Sequence, residues 1–368
     1  MTDKCFFFAG GGTGGHIYPA IAVAEKLKKI EPAAKIHFFC SGRDIDKKIL
    51  SKAGFGFTQL PAEGLSIRPA GLLRFVKTFF QSAKIAREKI TQCPNPVIIG
   101  IGGFVAAPVC WTAYKRKLPV FLINVDIIPG KANKLIARWA EKIFVQFDQT
   151  GQYLKKQKNK ISVVGCPLRS SFDNPNPKKA IERLGLDKNK KILLITGASS
   201  GSQNINRTVC SLVGFLNGFA DTWQVVHLAG ANNFEEVKNG YSDVVISYKV
   251  IDYYDDMADL LSAADLLIGR SGAVSAAEYA AAAVPSICMP YPYHKDRHQY
   301  LNAGKLVDAG AAIIVDDVPD EQDRREWLAE ELFSLMKNDV KLSEMKENCR
   351  TIAKRDAAEK IARTLINA

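Results

Sequence analysis

Short apolar runs alternate with amphipathic segments from one end of this chain to the other, and glycine-rich turns follow several of the runs. The runs fall at residues 5–9, 35–40, 96–101, 120–123, 142–146 and 161–164, then at 192–196, 224–229, 244–249, 266–269, 286–289 and 312–315. Near-continuous apolar runs of this length read as strands buried on both faces. Helical periodicity fills the gaps, as at 21–30 and 325–337. The alternation predicts an α/β protein with parallel sheets covered by helices.

The 368 residues are enough for two domains, each with its own core. With 47% hydrophobic and 24% charged residues, the chain is not disordered, collagen-like or a small disulfide-stapled scaffold. The seam is expected near Gly165-Cys166-Pro167 or in the turn-rich segment 173–179, which gives domains at 1–164 and 165–344. A polar amphipathic helix at about 345–368 has no strand after it and is expected to pack back, with the first domain as one choice.

Charge divides the chain in the same way. Residues 1–170 carry 27 Lys+Arg and 10 Asp+Glu, a formal +17, and the remainder carries 23 and 28, a formal −5. A basic first half suits an anionic surface such as phospholipid or a diphosphate. Nucleic acid is not expected, because the basic half lacks aromatic interleaving and a helix-turn-helix pattern. The eight cysteines include no C-x-x-C pair. Cys110 and Cys288 lie in apolar runs, as small buried hydrophobes do, and a reducing compartment fits. The five histidines form no metal-ligand cluster, so no metal is expected. No signal peptide is read. Residues 97–114 are uncharged, but Gly100, Gly102, Gly103 and Pro108 make them strand, loop and helix rather than a membrane span.

Six segments can carry chemistry. Gly10-Gly11-Gly12-Thr13-Gly14-Gly15-His16 follows the first strand and precedes a helix expected to open near Tyr18-Pro19. Glycines let a ligand approach the backbone, and a helix N-terminus offers amides to an anion. The loop is neither a Walker A nor a dinucleotide fingerprint, since the second strand ends Cys40-Ser41-Gly42-Arg43 without an acid. His16 at its mouth suits a general base, with a loop-packing histidine as the alternative. Gly102-Gly103-Phe104 is a second turn of close approach, for ligand or for packing.

Thr196-Gly197-Ala198-Ser199-Ser200-Gly201-Ser202 opens the second half with amide and hydroxyl donors suited to a diphosphate, or a plain helix cap. In Gly269-Arg270-Ser271-Gly272-Ala273, a strand meets an alanine-rich helix, where Glu278 is a lone acid that a ribose diol would suit. The polar run from Tyr293 to Asn302 suits a polyhydroxylated ligand, or an exposed helix start. Residues 72, 75, 76, 79 and 80 form an apolar stripe flanked by Arg68, Arg74, Lys77, Lys84 and Arg87, as on a helix resting on an anionic membrane; core burial explains the stripe equally well.

In order, these segments resemble the MurG family, bacterial peptidoglycan N-acetylglucosaminyltransferases of the GT-B fold. The likeness spans almost the whole chain. It includes Pro129-Gly130-Lys131-Ala132-Asn133-Lys134, Gly165-Cys166-Pro167-Leu168-Arg169, Asp255-Asp256-Met257 and His294-Lys295-Asp296-Arg297-His298-Gln299. The resemblance implies two Rossmann-like domains with parallel sheets facing across a cleft. It also implies inverting transfer of N-acetylglucosamine from its UDP derivative to the 4-hydroxyl of lipid I, giving lipid II, with no cofactor. The enzyme would be peripheral, at the cytoplasmic face of the plasma membrane, with Trp111 joining the apolar stripe.

Carried over by position, His16 is the base or orienting group, while Thr13, Gly14, Gly15 and Gly103 face the acceptor diphosphate. Arg169, Ser199, Ser271, Gly272 and Ala273 bind donor phosphates. Glu278 holds the ribose, Gln299 the sugar hydroxyls, Tyr253 or Tyr254 lies near the uracil with Ile251, and Asn302 closes the donor set.

The chain also departs from the family. Ile123-Asn124-Val125-Asp126 stands where His-Glu-Gln-Asn is usual, so Asp126 replaces an asparagine near the transferred sugar and becomes a second catalytic candidate. His298 replaces the first glutamine of a Gln-Gln pair. Two alternatives follow: a related transferase with another lipid-linked acceptor, or a silent homologue that binds UDP-sugar without turnover.

Overall fold

A computed structural model describes residues 4–12, 14–64, 68–198 and 201–368. Thr13 and Ser199, both assigned to phosphates above, lie outside the described residues. The chain forms two compact units, Met1–Ser170 with Lys354–Ala368, and Ser171–Ala353. The sequence-based bounds are 1–164 and 165–344, with the returning helix from about 345.

The first unit is built on seven strands: β1 (Lys4–Gly10), β2 (Lys35–Ser41), β3 (Gly56–Leu60), β4 (Asn95–Gly102), β5 (Val120–Asn124), β6 (Lys142–Val145) and β7 (Ile161–Val163). They run in the order β3-β2-β1-β4-β5-β6-β7, all parallel, with Phe8 opposite Phe38 and Ile99. Phe6, Phe8, Phe39, Ile98, Ile99 and Leu122 are fully enclosed, as strands covered on both faces require. The helix Ala357–Ile366 packs on the helix Gly14–Ile30 through buried Ala358, Ile361, Ala362 and Leu365. Lys4 Nζ also donates to the carbonyl of Ile366 at 2.7 Å.

Six parallel strands form the second unit: β8 (Lys191–Thr196), β9 (Trp223–Leu228), β10 (Tyr248–Ile251), β11 (Leu266–Gly269), β12 (Ser286–Cys288) and β13 (Ala312–Ile314). Their order is β10-β9-β8-β11-β12-β13. Its core holds Leu193, Ile195, Val225, Ile268 and Trp223, whose indole N–H donates to the carbonyl of Met336 at 3.2 Å.

Several sequence expectations change. The strand β3 was not expected, because Gly-Phe-Thr-Gln-Leu is a half-exposed sheet edge without an apolar run. The strand expected at 244–249 is Tyr248–Ile251; Asn217 Oδ1 takes the amides of Val245 and Ile246 and keeps them out of the ladder. The first helix opens at Gly14, not near Tyr18, so Gly14, Gly15 and His16 form its first turn. The single terminal helix is two, Asp339–Ile352 and Ala357–Ile366. Cys5 and Cys93 are joined by a disulfide that the cysteine spacing did not suggest. Residues 97–114 divide into β4, a turn and the helix Ala106–Lys115, and among the described residues no helix is long and apolar enough to cross a membrane.

Candidate active site

In the first unit the strand order reverses between β1 and β4, the point where doubly wound sheets open a crevice at their carboxyl ends. Both glycine turns leave there. A Cβ on Gly103, whose φ is +76°, would lie 2.8 Å from the Gly11 carbonyl oxygen, so the two turns touch through backbone. The helix Gly14–Ile30 opens at this turn, and the N-terminus of a helix suits an anion.

Asp46, fully buried in the helix Asp44–Lys52, fixes the first turn from beneath. It accepts from the amides of Gly12 at 2.9 Å and Ser41 at 3.0 Å, and from Ser41 Oγ at 2.6 Å. Arg43 Nη1 donates to the Gly12 carbonyl at 2.7 Å.

His16 is half-buried, with its ring against Gly102. A Cβ on Gly102, where φ is +134°, would come within 3.1 Å of His16 Nε2 and 3.2 Å of Asn133 Oδ1, so only glycine leaves room for both. Burial lowers the pKa of His16 from 6.5, while the Asp126 carboxylate, a hydrogen bond to the Gly11 carbonyl and Asp46 oppose it less strongly. The result is a neutral imidazole at neutral pH, ready to accept a proton.

Asn124 accepts from Asn133 Nδ2 at 2.9 Å and donates to the Asp126 carbonyl at 2.7 Å, which fixes the loop that carries Asp126. Asn133 Oδ1 is buried near the His16 ring, with no hydrogen-bond partner among the described residues. Arg169 belongs to the first unit, stacked 4.4 Å above the ring of Tyr18. The sequence had assigned it to the second domain's share of the chain.

The second unit repeats the arrangement, with the strand order reversing between β8 and β11. After β8, Gly201 at φ +74° leads to Ser202, whose side chain caps the helix Gln203–Cys210. After β11 come Arg270, Ser271 and Gly272, the last capping the helix Ala273–Ala282. Arg270 Nη2 donates to Ser202 Oγ and to Asp317 Oδ2, each at 2.7 Å, and Nη1 donates to the Met289 carbonyl at 2.7 Å. Asp317 also accepts from Asn204 Nδ2 at 2.8 Å and lies 3.7 Å from Arg324 Nη1. One buried guanidinium thus ties the loops after β8, β11, β12 and β13 together.

Ser271 Oγ donates to the Gln299 carbonyl at 3.0 Å, Asn302 Nδ2 donates to the Ser271 carbonyl at 3.4 Å, and Gln299 Oε1 accepts from the Tyr291 amide at 3.0 Å. Ser271, Gly272, Ala273, Gln299 and Asn302 therefore form one cluster, with half-buried Glu278 further along the helix that Gly272 caps. Ile251 ends β10, its carbonyl accepting from the Ala229 amide. Tyr253 is 48% exposed, whereas Tyr254 is buried, with the Arg183 guanidinium 5.2 Å from its ring. Of the two tyrosines, Tyr253 is the one open to a ligand. Among the described residues no group of three His, Cys, Asp or Glu could hold a metal.

The sequence reading assigned no role to Asp46, Asn133, Arg270 or Asp317.

Two family descriptions match the chain: the Glycosyltransferase family 28 N-terminal domain over residues 6–145 and the Glycosyltransferase family 28 C-terminal domain over residues 192–361. The chain belongs to glycosyltransferase family 28. Each matched segment carries the two loops of one strand-order reversal. A relative from Thermoanaerobacter sp. (strain X514), 33% identical with 97% of each chain covered, is named UDP-N-acetylglucosamine--N-acetylmuramyl-(pentapeptide) pyrophosphoryl-undecaprenol N-acetylglucosamine transferase. One from Acetivibrio thermocellus with the same name is 30% identical over 96% of this chain and 95% of its own. A crystal structure of Acinetobacter baumannii MurG has the same fold, with a TM-score of 0.75, 23% identity and 99% and 100% of the two chains covered. Family 28 membership thus agrees with the two parallel-sheet units.

Proposed function

We propose that this family 28 glycosyltransferase transfers N-acetylglucosamine from UDP-N-acetylglucosamine to the 4-hydroxyl of lipid I, making lipid II for peptidoglycan. The observation that carries the reading is the match of nearly the whole chain, at about one third identity, to relatives named for that reaction. In the inverting step, the acceptor oxygen forms a bond to the anomeric carbon, the bond from that carbon to the diphosphate breaks, and UDP leaves with the electron pair. The hydroxyl proton passes to His16, whose neutral ring at the β1–β4 reversal supports that role.

The acceptor diphosphate is taken by Thr13, Gly14, Gly15 and Gly103. Donor phosphates are taken by Ser199, Ser271, Gly272 and Ala273, where helix N-termini favour the departing charge. Glu278 holds the ribose, Gln299 and Asn302 the sugar, and Tyr253 with Ile251 the uracil.

The enzyme works on an anionic membrane at its cytoplasmic face. Supporting this, Leu72, Leu73, Val76 and Phe80 of the helix Pro69–Ile90 are exposed, Phe80 packs against Trp111, and Lys77, Lys84 and Arg87 of the same helix and Lys115 are exposed as well. Arg74 is paired with Glu63 at 2.7 Å and adds less charge. A second reading, transfer to a different lipid-linked acceptor, is favoured by the Asp126 carboxylate acting on His16.

The test is UDP release from UDP-N-acetylglucosamine with and without a lipid I analogue. Release that needs the analogue supports the reading. Release only with another acceptor selects the second reading, and tight donor binding with no release under any acceptor overturns both.

A further inference from the structure

One buried carboxylate has no part in the reaction above, yet it touches the reactive loop. Asp46 takes the Gly12 N–H at 2.9 Å, and that N–H belongs to the same peptide unit as the Gly11 carbonyl, which accepts from the His16 ring. Carboxylate, peptide and imidazole therefore form one hydrogen-bonded line. We propose that Asp46 is a positioning residue for His16, acting through the Gly11–Gly12 peptide.

The physics has two parts. A carboxylate pulling on an amide N–H polarises the peptide and makes its carbonyl a stronger acceptor, because hydrogen bonds in series strengthen one another in a low-dielectric interior. The Gly11 carbonyl then holds one ring nitrogen as a donor, which leaves the other as the base, much as a carboxylate orients a histidine directly elsewhere.

Three surrounding features keep the line in place. Ser41 supplies two further hydrogen bonds to Asp46, which hold the carboxylate in place. Arg43 holds the Gly12 carbonyl from the other side. Gly103 approaches the Gly11 carbonyl oxygen so closely that a side chain there would displace it. The charged groups acting on this line are Asp46 and Arg43 from the segment after β2 and Asp126 from the loop after β5, with neutral Asn133 against the ring.

The proposal rests on His16 as the base, and its test separates the two. His16 is titrated by NMR in the substrate-free full chain, for wild type, Asp46→Asn and Ser41→Ala. Asp46→Asn keeps the shape and removes the charge, so the His16 midpoint should move to lower pH. Ser41→Ala removes one hydrogen bond from the carboxylate and leaves its charge less shared, so the midpoint should move the other way.

With UDP-N-acetylglucosamine and a lipid I analogue, Asp46→Asn should lower kcat on the order of tenfold, with KM for the donor unchanged, and shift the acid limb in step with the NMR midpoint. A folded Asp46→Asn or Ser41→Ala whose His16 midpoint stays at the wild-type pH overturns the proposal, and either variant alone suffices if the other does not fold. If His16→Ala leaves transfer unchanged, the base assignment fails, while the NMR shifts still decide the line itself.

Discussion

Two histidines show at the residue scale how burial sets function and stability. In His16 burial wins over two carboxylates, so the neutral form persists below pH 6.5. The acid limb of the pH–rate profile should therefore lie below pH 6.5, and His16→Ala should lower kcat by about 10²–10⁴. An acid limb above 6.5, or an unchanged kcat, would contradict the base role.

His227 is fully buried between Tyr241 Oη and Asn206 Oδ1, each at 3.1 Å, and its pKa is pushed down to about 3. Below pH 6.5 the unfolded chain binds a proton there and the folded chain does not. Stability should therefore fall as pH drops from 6.5 towards 3, by about 1.4 kcal/mol per pH unit, with no effect above 6.5. Urea unfolding at pH 7, 5.5 and 4.5 should give a shallower decline for His227→Gln than for wild type, and parallel declines would remove this assignment. The place of His16 just past a strand's carboxyl end was legible in the sequence because a glycine run follows an apolar run there. Asp46 was not, because its role depends on a hydrogen bond across 34 positions of chain.

Strands buried on both faces announce themselves as apolar runs, and eleven of the thirteen strands among the described residues fall on the runs read from the sequence with small shifts of boundary. The two exceptions, β3 and β10, are edge strands. An edge needs burial on fewer sides, so Gly-Phe-Thr-Gln-Leu carries no run, and at β10 the apolar Val-Val-Ile segment precedes the strand instead of forming it.

Helices divide similarly. The apolar stripe of the helix Pro69–Ile90 was visible in its spacing, but whether it faced core or solvent depends on the neighbours it meets. The structure leaves Leu73 75% exposed. Replacing Leu73 and Phe80 by Ser should weaken sedimentation with phosphatidylglycerol vesicles at least several-fold without lowering the melting temperature. Equal sedimentation would remove this helix from the membrane account. The helix Ala357–Ile366 acts the opposite way, sealing the first unit through fully buried Leu365. Leu365→Ala should cost about 2–5 kcal/mol in chemical denaturation. A change under 0.5 kcal/mol would mean that this helix is not part of the unit's core.

Over the whole molecule, the same device appears twice, with a parallel sheet whose strand order reverses and two small-residue loops at the reversal. On the proposed function, charge divides the two uses: the basic half, with 27 Lys+Arg against 10 Asp+Glu, would meet a lipid-borne diphosphate, and the other half, with 23 against 28, would supply the nucleotide-sugar loops. Two of the departures that the resemblance implies, Asp126 and His298, leave both glycine turns and the Arg270-Ser271-Gly272 loop in place.

Identification of the transfer product tests the account most directly. Incubation with UDP-N-acetylglucosamine and a lipid I analogue should give a product heavier by one N-acetylglucosamine residue, β-linked by NMR to the 4-oxygen of the muramoyl sugar, and His16→Ala should give little of it. An α-linkage, attachment elsewhere on the acceptor, or donor binding with no product would contradict it.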